Sequence, residues 1–408
     1  MTGASEQRAG KDYLMTLKDN RGYTLAEMII AMGIFVIVMV AAGEAFKTVL
    51  HQGGQQSRLA ETQIGNIVGL ELLRSDLQNA GYGLPWAFRS APLTSAYTEI
   101  TADDSNMPIS ATFWEAGKSP RTFNDATGGV PRAVQSGNTT FNLSDGVGSK
   151  YLVVKSLAAA PGGTQKKWVT VTYSDTARQQ SDWGAGQRAF AADSVERVIV
   201  MRGAFNEGVP TRELQVIDGV FAVPFKEYTT LTLPHSSGDV FQVYGVEPSV
   251  DPRMPFNRAD YYVSRPASIS PACAPGTGVL YKAVANQTTG YKEMPLLDCV
   301  ADMQVVYGLG PVGSPNVNLH QTTVPVAANP ADAAKAIREQ VKEIRLYILA
   351  HEGRKDRTFS YPSQQVEVGE DFGGGLQGRM FNLETLIGTD WRNYRWKVYT
   401  IVARPKNT

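Results

Sequence analysis

One carboxylate constrains this chain more than any other residue. Glu27 stands at the head of Met28–Gly43, sixteen residues without a charge. A carboxylate in a membrane-type segment costs about 2.5–3.5 kcal/mol on insertion scales, so it needs a partner and marks a function. Tyr23–Gly43 as a helix is about 32 Å long, enough to cross a bilayer. If the chain were cut after Gly22, Tyr23 would expose an α-amino group of pKa about 8. Glu27 could pair with that amine, on a neighbouring subunit. A conventional secretory signal would place a small-residue cleavage site after its apolar stretch, and none precedes the charged stretch that begins at Glu44. A plain anchor helix leaves Glu27 and the Gly22-Tyr23 step unexplained.

The run Arg21-Gly22-Tyr23-Thr24-Leu25-Ala26-Glu27-Met28 resembles the type III signal of type IV pilins and pseudopilins: a glycine, an aromatic residue, a glutamate four residues on, and an apolar helix. The resemblance implies that a membrane prepilin peptidase cuts between Gly22 and Tyr23. It also implies that the Tyr23 amine is methylated and that Glu27 recruits the subunit into a filament. Residues 1–22 would then be a leader, 23–82 a transmembrane and assembly helix, and 83–408 a β-rich head. The leader is long and mixed in charge, with Arg8, Lys11, Lys18 and Arg21 against Glu6, Asp12 and Asp19; a start at Met15 would shorten it. Lys18 and Arg21 favour a cytoplasmic N-terminus by the positive-inside rule, which puts the head outside the cytoplasm.

Composition supports a globular head. Hydrophobic residues make up 43% and charged residues 19% of the chain, unlike a disordered segment. Basic and acidic residues balance at 39 each, so nothing argues for nucleic acid or a polybasic membrane patch. The only cysteines are Cys273 and Cys299. Outside the cytoplasm such a pair reads as one disulfide; the alternative is two buried thiols. Closing that loop of about 27 residues is worth roughly 3 kcal/mol in the chain-entropy model. The bond is expected to pin the loop holding Asn286–Gly290 to a strand beginning at Val300.

Helix formers continue from Glu44 to Ala80 without proline, interrupted only by Gly53-Gly54, which predicts one helix over 23–80, with a kink possible at that pair. Its second half carries two apolar rows, Ile64-Val68-Leu72 and Leu70-Leu73-Leu77. One row would face the head and the other partner helices; the alternative is a helix wholly buried in its own head. Strand composition marks Tyr151–Lys155, Trp168–Tyr173, Val195–Met201, Leu214–Ile217, Val240–Val246, Tyr261–Ser264, Gly278–Ala285, Val300–Leu309, Ile344–Ala350 and Tyr394–Ala403. Asn329 followed by Pro330 predicts a capped helix start. A long loop is expected through Gly373-Gly374-Gly375. The fold class is therefore α+β: a long N-terminal helix packed on a large head with an antiparallel sheet.

No chemistry stands out. His51, His235, His320 and His351 show no metal-ligand spacing, and neither H-E-x-x-H nor G-x-S-x-G occurs. The acidic groups Asp103-Asp104 and Glu367, Glu370, Asp371 lack the calcium-loop pattern. Trp114, Trp168, Trp183, Trp391 and Trp396 read as core. No cofactor, metal or catalytic residue is expected.

Pro295–Tyr307 and Tyr394–Arg404 resemble the C-terminal region of PilW-type minor pilins, which makes about 273–408 the pilin-like part of the head. That resemblance implies a structural protein rather than an enzyme. It would be stored in the inner membrane with its head in the periplasm, then extracted by an assembly platform to the pilus tip. Implied partners are the prepilin peptidase, the major pilin, other minor pilins and a tip adhesin. A J-type pseudopilin of a type II secretion system shares the signal and a related head. A membrane-anchored periplasmic enzyme is the third reading, disfavoured by the missing catalytic constellation.

Overall fold

The computed structural model describes residues 24–88, 97–101, 104, 114, 118–126, 129–174, 177–180, 190–206, 209–233 and 237–406. Gly22, Tyr23, Asp103, Trp183, His235 and the side chains of His51 and Ile64 lie outside them. The chain divides between Ser57 and Arg58 into two units. Helix α1 (Leu25–Gln78) contributes to both and runs through Gly53-Gly54. The division falls inside the helix, whose later turns are packed on the head.

After β1 (Ala87–Phe88) come β2 (Val134–Asn138), β3 (Lys150–Ser156), β4 (Trp168–Ser174), β5 (Ala177–Gln180), β6 (Arg197–Asn206) and β7 (Val209–Leu214). β8 (Ala222–Pro224), β9 (Val240–Glu247), β10 (Asn257–Ser264), β11 (Gly278–Ala285), β12 (Tyr291–Leu309) and β13 (Leu319–Gln321) follow. Helix α2 (Pro330–Gln340), β14 (Val341–Glu352), β15 (Gln365–Asp371), β16 (Leu376–Asn382), helix α3 (Leu383–Ile387) and β17 (Arg395–Ala403) complete the head.

An eight-stranded antiparallel sheet runs β17-β14-β12-β11-β10-β3-β2, with β13 beside β12. A seven-stranded sheet runs β1-β7-β6-β9-β4-β5, with β8 beside β6. β3 and β10 are neighbours although β4–β9 lie between them in the chain. The seven-stranded sheet is therefore mostly an insertion into the eight-stranded one, and it organises the middle region that carries no readable pattern. The two sheets share one core, in which Leu73 and Leu77 of α1 meet Leu152, Tyr261, Met201 and Tyr244. On the other face of the eight-stranded sheet, Val368, Phe381 and Leu383 pack with Leu349 and Trp396.

The structure corrects several expectations. The segment around Gly373-Gly374-Gly375 is the tip of a hairpin, β15–β16, whose alternating Val366 and Val368 face the sheet. β12 begins at Tyr291 rather than Val300 and carries Pro295 within it, paired with Tyr281. β7 ends at Leu214, where a strand was expected to begin. Its sequence Val-Pro-Thr-Arg-Glu-Leu lacks an apolar alternation, and it is held by pairing with β6. Asn329 caps α2 as its sequence suggests, accepting from the Asp332 N–H at 2.8 Å.

The β3–β10 junction, where the chain leaves and re-enters the eight-stranded sheet, is ionic on the face away from the shared core. Lys155 on β3 and Arg258 on β10 are register partners, and both are fully buried. Two cations side by side in a core would repel. Glu99 lies 2.8 Å from Lys155 and 3.1 Å from Arg258. Asp125 takes a second bond from Lys155 at 2.5 Å, and Asp260 pairs with Arg258 at 2.7 Å. Burial pushes the Asp125 carboxyl up, but Lys155, Arg132 and its hydrogen bonds outweigh burial and hold it below its usual value.

Removing one member should leave a buried charge uncompensated. Glu99→Gln is expected to cost about 3–5 kcal/mol, read as a lower urea midpoint for the head. Because the folded Asp125 pKa is depressed, its contribution is present above the ordinary aspartate range and lost as pH falls through the folded value. An unchanged midpoint in Glu99→Gln would show that the junction does not depend on the bridge.

Candidate functional site

Thr24 and Glu27 close the start of α1. The Thr24 N–H and hydroxyl both donate to Glu27 Oε2 at 2.9 Å, and the Glu27 N–H donates to Thr24 Oγ1 at 3.2 Å. This is a capping box, in which the third helical residue reaches back to the cap. Thr24-x-x-Glu27 is the sequence signature of such a box. Glu27 thus has a partner within its own chain. Tyr23 and its amine lie outside the described residues.

Leu25–Phe46 forms a 22-residue span of mean hydropathy 2.6 with none of it buried. Its apolar side chains, including Ile29, Met32, Phe35, Val36 and Val40, are exposed. A helix that is apolar all round belongs in a membrane or among other helices. The apolar helix supports membrane anchoring.

From Gly69 onward the same helix is built differently. A Cβ at Gly69 would collide with the Leu296 carbonyl of β12, so the glycine allows the helix backbone to approach the strand. Leu73 and Leu77 are fully buried and Leu70 packs beside them. Ile67 and Val68 are about two-thirds exposed, and Leu72 is half-buried. One apolar row therefore meets the head while the described members of the other stay open or partly open. Asp76 accepts from Tyr261 Oη and Lys282 Nζ, which are cross-strand partners on β10 and β11. Burial lifts the Asp76 carboxyl above its usual value, and Lys282 offsets only part of this. Beside this stretch a groove of about 1000 Å³ is lined by Leu72, Ser75, Asn79, Pro161, Trp168 and Met294.

Cys273 and Cys299 form a disulfide. Cys299 has φ +57°, at a bulge where Asp298 and Cys299 of β12 oppose one residue of β11. The bond ties the β10–β11 connection to the middle of β12. It does not hold Asn286–Gly290, which is the tight β11–β12 turn, closed by the Asn286 N–H on the Gly290 carbonyl. His351 of β14 lies beside the bond. Its Nε2 accepts from the Ala274 N–H at 2.8 Å, and Tyr394 and Trp396 pack on its ring. Cys273, Cys299 and His351 are the one group of possible metal ligands among the described residues, and both sulfurs are taken by the disulfide.

The other singled-out residues serve the fold. Glu370 pairs with Arg345 at 2.8 Å and accepts from Tyr347 Oη at 2.7 Å. Asp371 accepts from the Gly373 and Gly375 N–H groups. Asp104 pairs with Arg253 at 2.9 Å. His320 stacks on Phe372. Trp114, Trp391 and Trp396 are buried, while Trp168 is half-buried at the groove.

The family model of the prokaryotic N-terminal methylation motif matches residues 17–43. No curated protein and no solved structure is significantly similar to the chain. The motif supports a type IV pilin or pseudopilin precursor, processed by prepilin peptidase and assembled with other pilins. It suggests a structural protein and not an enzyme.

His351 generates a pH dependence. Burial lowers its pKa from 6.5 to about 4, and protonating Nε2 would set one N–H against the Ala274 N–H. The unfolded chain then binds the proton better between these values, so stability is full above about 6.5 and falls as pH drops toward 4. The contribution is about 3 kcal/mol at most. His351→Gln keeps an acceptor for Ala274 without a titrating ring. The difference between wild-type and variant urea midpoints should shrink across that window, and a pH-independent difference would refute the assignment.

Proposed function

We propose that this chain is a minor pilin of a type IV pilus, of the PilW kind. It is cut between Gly22 and Tyr23, methylated at Tyr23, and held in the inner membrane with residues 83–408 in the periplasm. It then enters the filament at or near the tip, where it helps to prime assembly with the major pilin and other minor pilins and to carry an adhesin. The observation that carries this reading is the exposed Leu25–Phe46 helix, uncharged from Met28 to Gly43, with the Glu27 carboxylate at its head. The exposed Ile67 and Val68 and the adjoining groove supply a second place for partner helices. A J-type pseudopilin would share the signal. The inserted seven-stranded sheet makes this head large for that role.

Cleavage is tested first. The mass of the mature N-terminus should begin at a methylated Tyr23, and Gly22→Leu should leave only precursor. Normal-sized mature protein from that variant would overturn the cleavage site.

Glu27 is tested by two substitutions that separate its possible duties. Glutamine can still close a capping box but carries no charge; valine does neither. If the carboxylate pairs with a neighbour's Tyr23 amine in a low-dielectric core, both variants lose it. Glu27→Gln and Glu27→Val are therefore expected to be cleaved and inserted at wild-type abundance, yet to support fewer surface pili. Wild-type piliation with Glu27→Gln beside a defect with Glu27→Val would show that the cap alone matters.

A further inference from the structure

Among the described residues the two large sheets end in four edges. The described parts of β1 and β5 span two and four residues, and β2 has five including Gly137. The fourth, β17, has nine residues, pairs continuously with β14 from Arg395 to Ala403 without a register shift, and contains no proline. Natural edges are blunted by shortness, bulges, proline or charge. β17 has only the last of these.

Its charge has one sign. Residues 391–408 include Arg392, Arg395, Lys397, Arg404 and Lys406 and no acidic residue. The carboxylates that reach this edge, Glu343, Glu352 and Asp356, are largely covered and already paired with Arg404, Lys397 and Arg395. Arg392, Lys397, Arg404 and Lys406 are exposed. Along the strand the two faces differ. Val398, Thr400 and Val402 form a β-branched row that the β15–β16 hairpin leaves half-buried or open, while Arg395 and Lys397 lie on the other face.

We propose that β17 accepts an acidic, extended segment of a different polypeptide as an added strand. Main-chain hydrogen bonds would supply affinity and alternate side chains specificity. Carboxylates would meet Arg395 and Lys397, and β-branched residues would meet Val398 and Val402. A second copy of this chain is a poorer occupant, because its own β17 brings two more cations and no carboxylate to the edge. The proposal rests on the eight-stranded sheet and stands whether or not the N-terminal signal is cleaved.

The test uses the full chain in detergent and a peptide of about ten residues alternating glutamate with valine. Backbone hydrogen exchange of Arg395–Ala403 should slow when the peptide is added. A valine–lysine peptide, and the acidic peptide interrupted by proline, should leave it unchanged. Lys397→Glu combined with Arg404→Glu alters only exposed side chains and should weaken binding of the acidic peptide by at least about tenfold, or about 1.4 kcal/mol. Unchanged exchange in the head of that variant without peptide establishes that it is folded. The proposal is overturned if the acidic peptide does not protect β17, if the lysine or proline peptide protects it equally, or if the chain self-associates through this edge.

Discussion

Lys155 and Arg258 sit opposite one another on β3 and β10 with no access to water, and the head's topology passes between them. The chain leaves the eight-stranded sheet after β3, makes most of the seven-stranded sheet, and returns as β10. The return is to the strand it left, so a long excursion must be closed by local pairing. Apolar partners could bring two strands together but would not distinguish one register from another a residue or two away. The two cations tolerate each other only where Glu99, Asp125 and Asp260 are all in reach. A slip of one residue would turn these side chains to the opposite face. The arrangement also recruits the segment carrying Glu99 and Asp125, which contacts the sheet through Asn124 and the carbonyls of Pro120 and Phe123 as well.

Helix α1 answers to two environments in one element. From Met28 to Gly43 it is apolar on every side, and none of this span is buried. Its last turns bury only one stripe, Leu70, Leu73 and Leu77. The change is visible in the side chains that separate the rows: Glu71, Arg74 and Ser75 are exposed, and no residue of that kind occurs between Met28 and Gly43. A helix apolar all round has no preferred side, whereas one with a single buried stripe does.

Local signals were the legible ones. The methylation motif and the Asn329-Pro330 cap each depend on a few adjacent residues, and the cysteine pair on there being only two. Strands rich in apolar or β-branched residues were also readable, such as Gly278–Ala285 and Arg395–Ala403. The inserted sheet was not legible, because nothing near Ser156 announces its pairing with Asn257. Lys155, Arg258 and Glu99 read as ordinary surface charges until the fold assembles them. His351 looked idle for the same reason: its partner Ala274 comes from a distant turn. The β15–β16 hairpin was hidden by its glycines, which suggested a loop where they form only the tip.

Asp76 shows what the polar contacts of this head accomplish. Burial raises its pKa, so the folded state favours the protonated form and ionised Asp76 opposes folding as pH rises through that value. Stability is therefore a poor account of its presence. Register is a better one. The stripe Leu70, Leu73 and Leu77 could shift along the sheet and still bury apolar surface. Asp76 can reach Tyr261 and Lys282 from one position only, and Gly69 allows close approach to Leu296 from the same position. A buried polar group that fixes register at a cost in stability is a well-attested use of such residues. Here it sets how the final turns of α1 seat on β10, β11 and β12, so that the open row carrying Ile67 and Val68 faces away from the head.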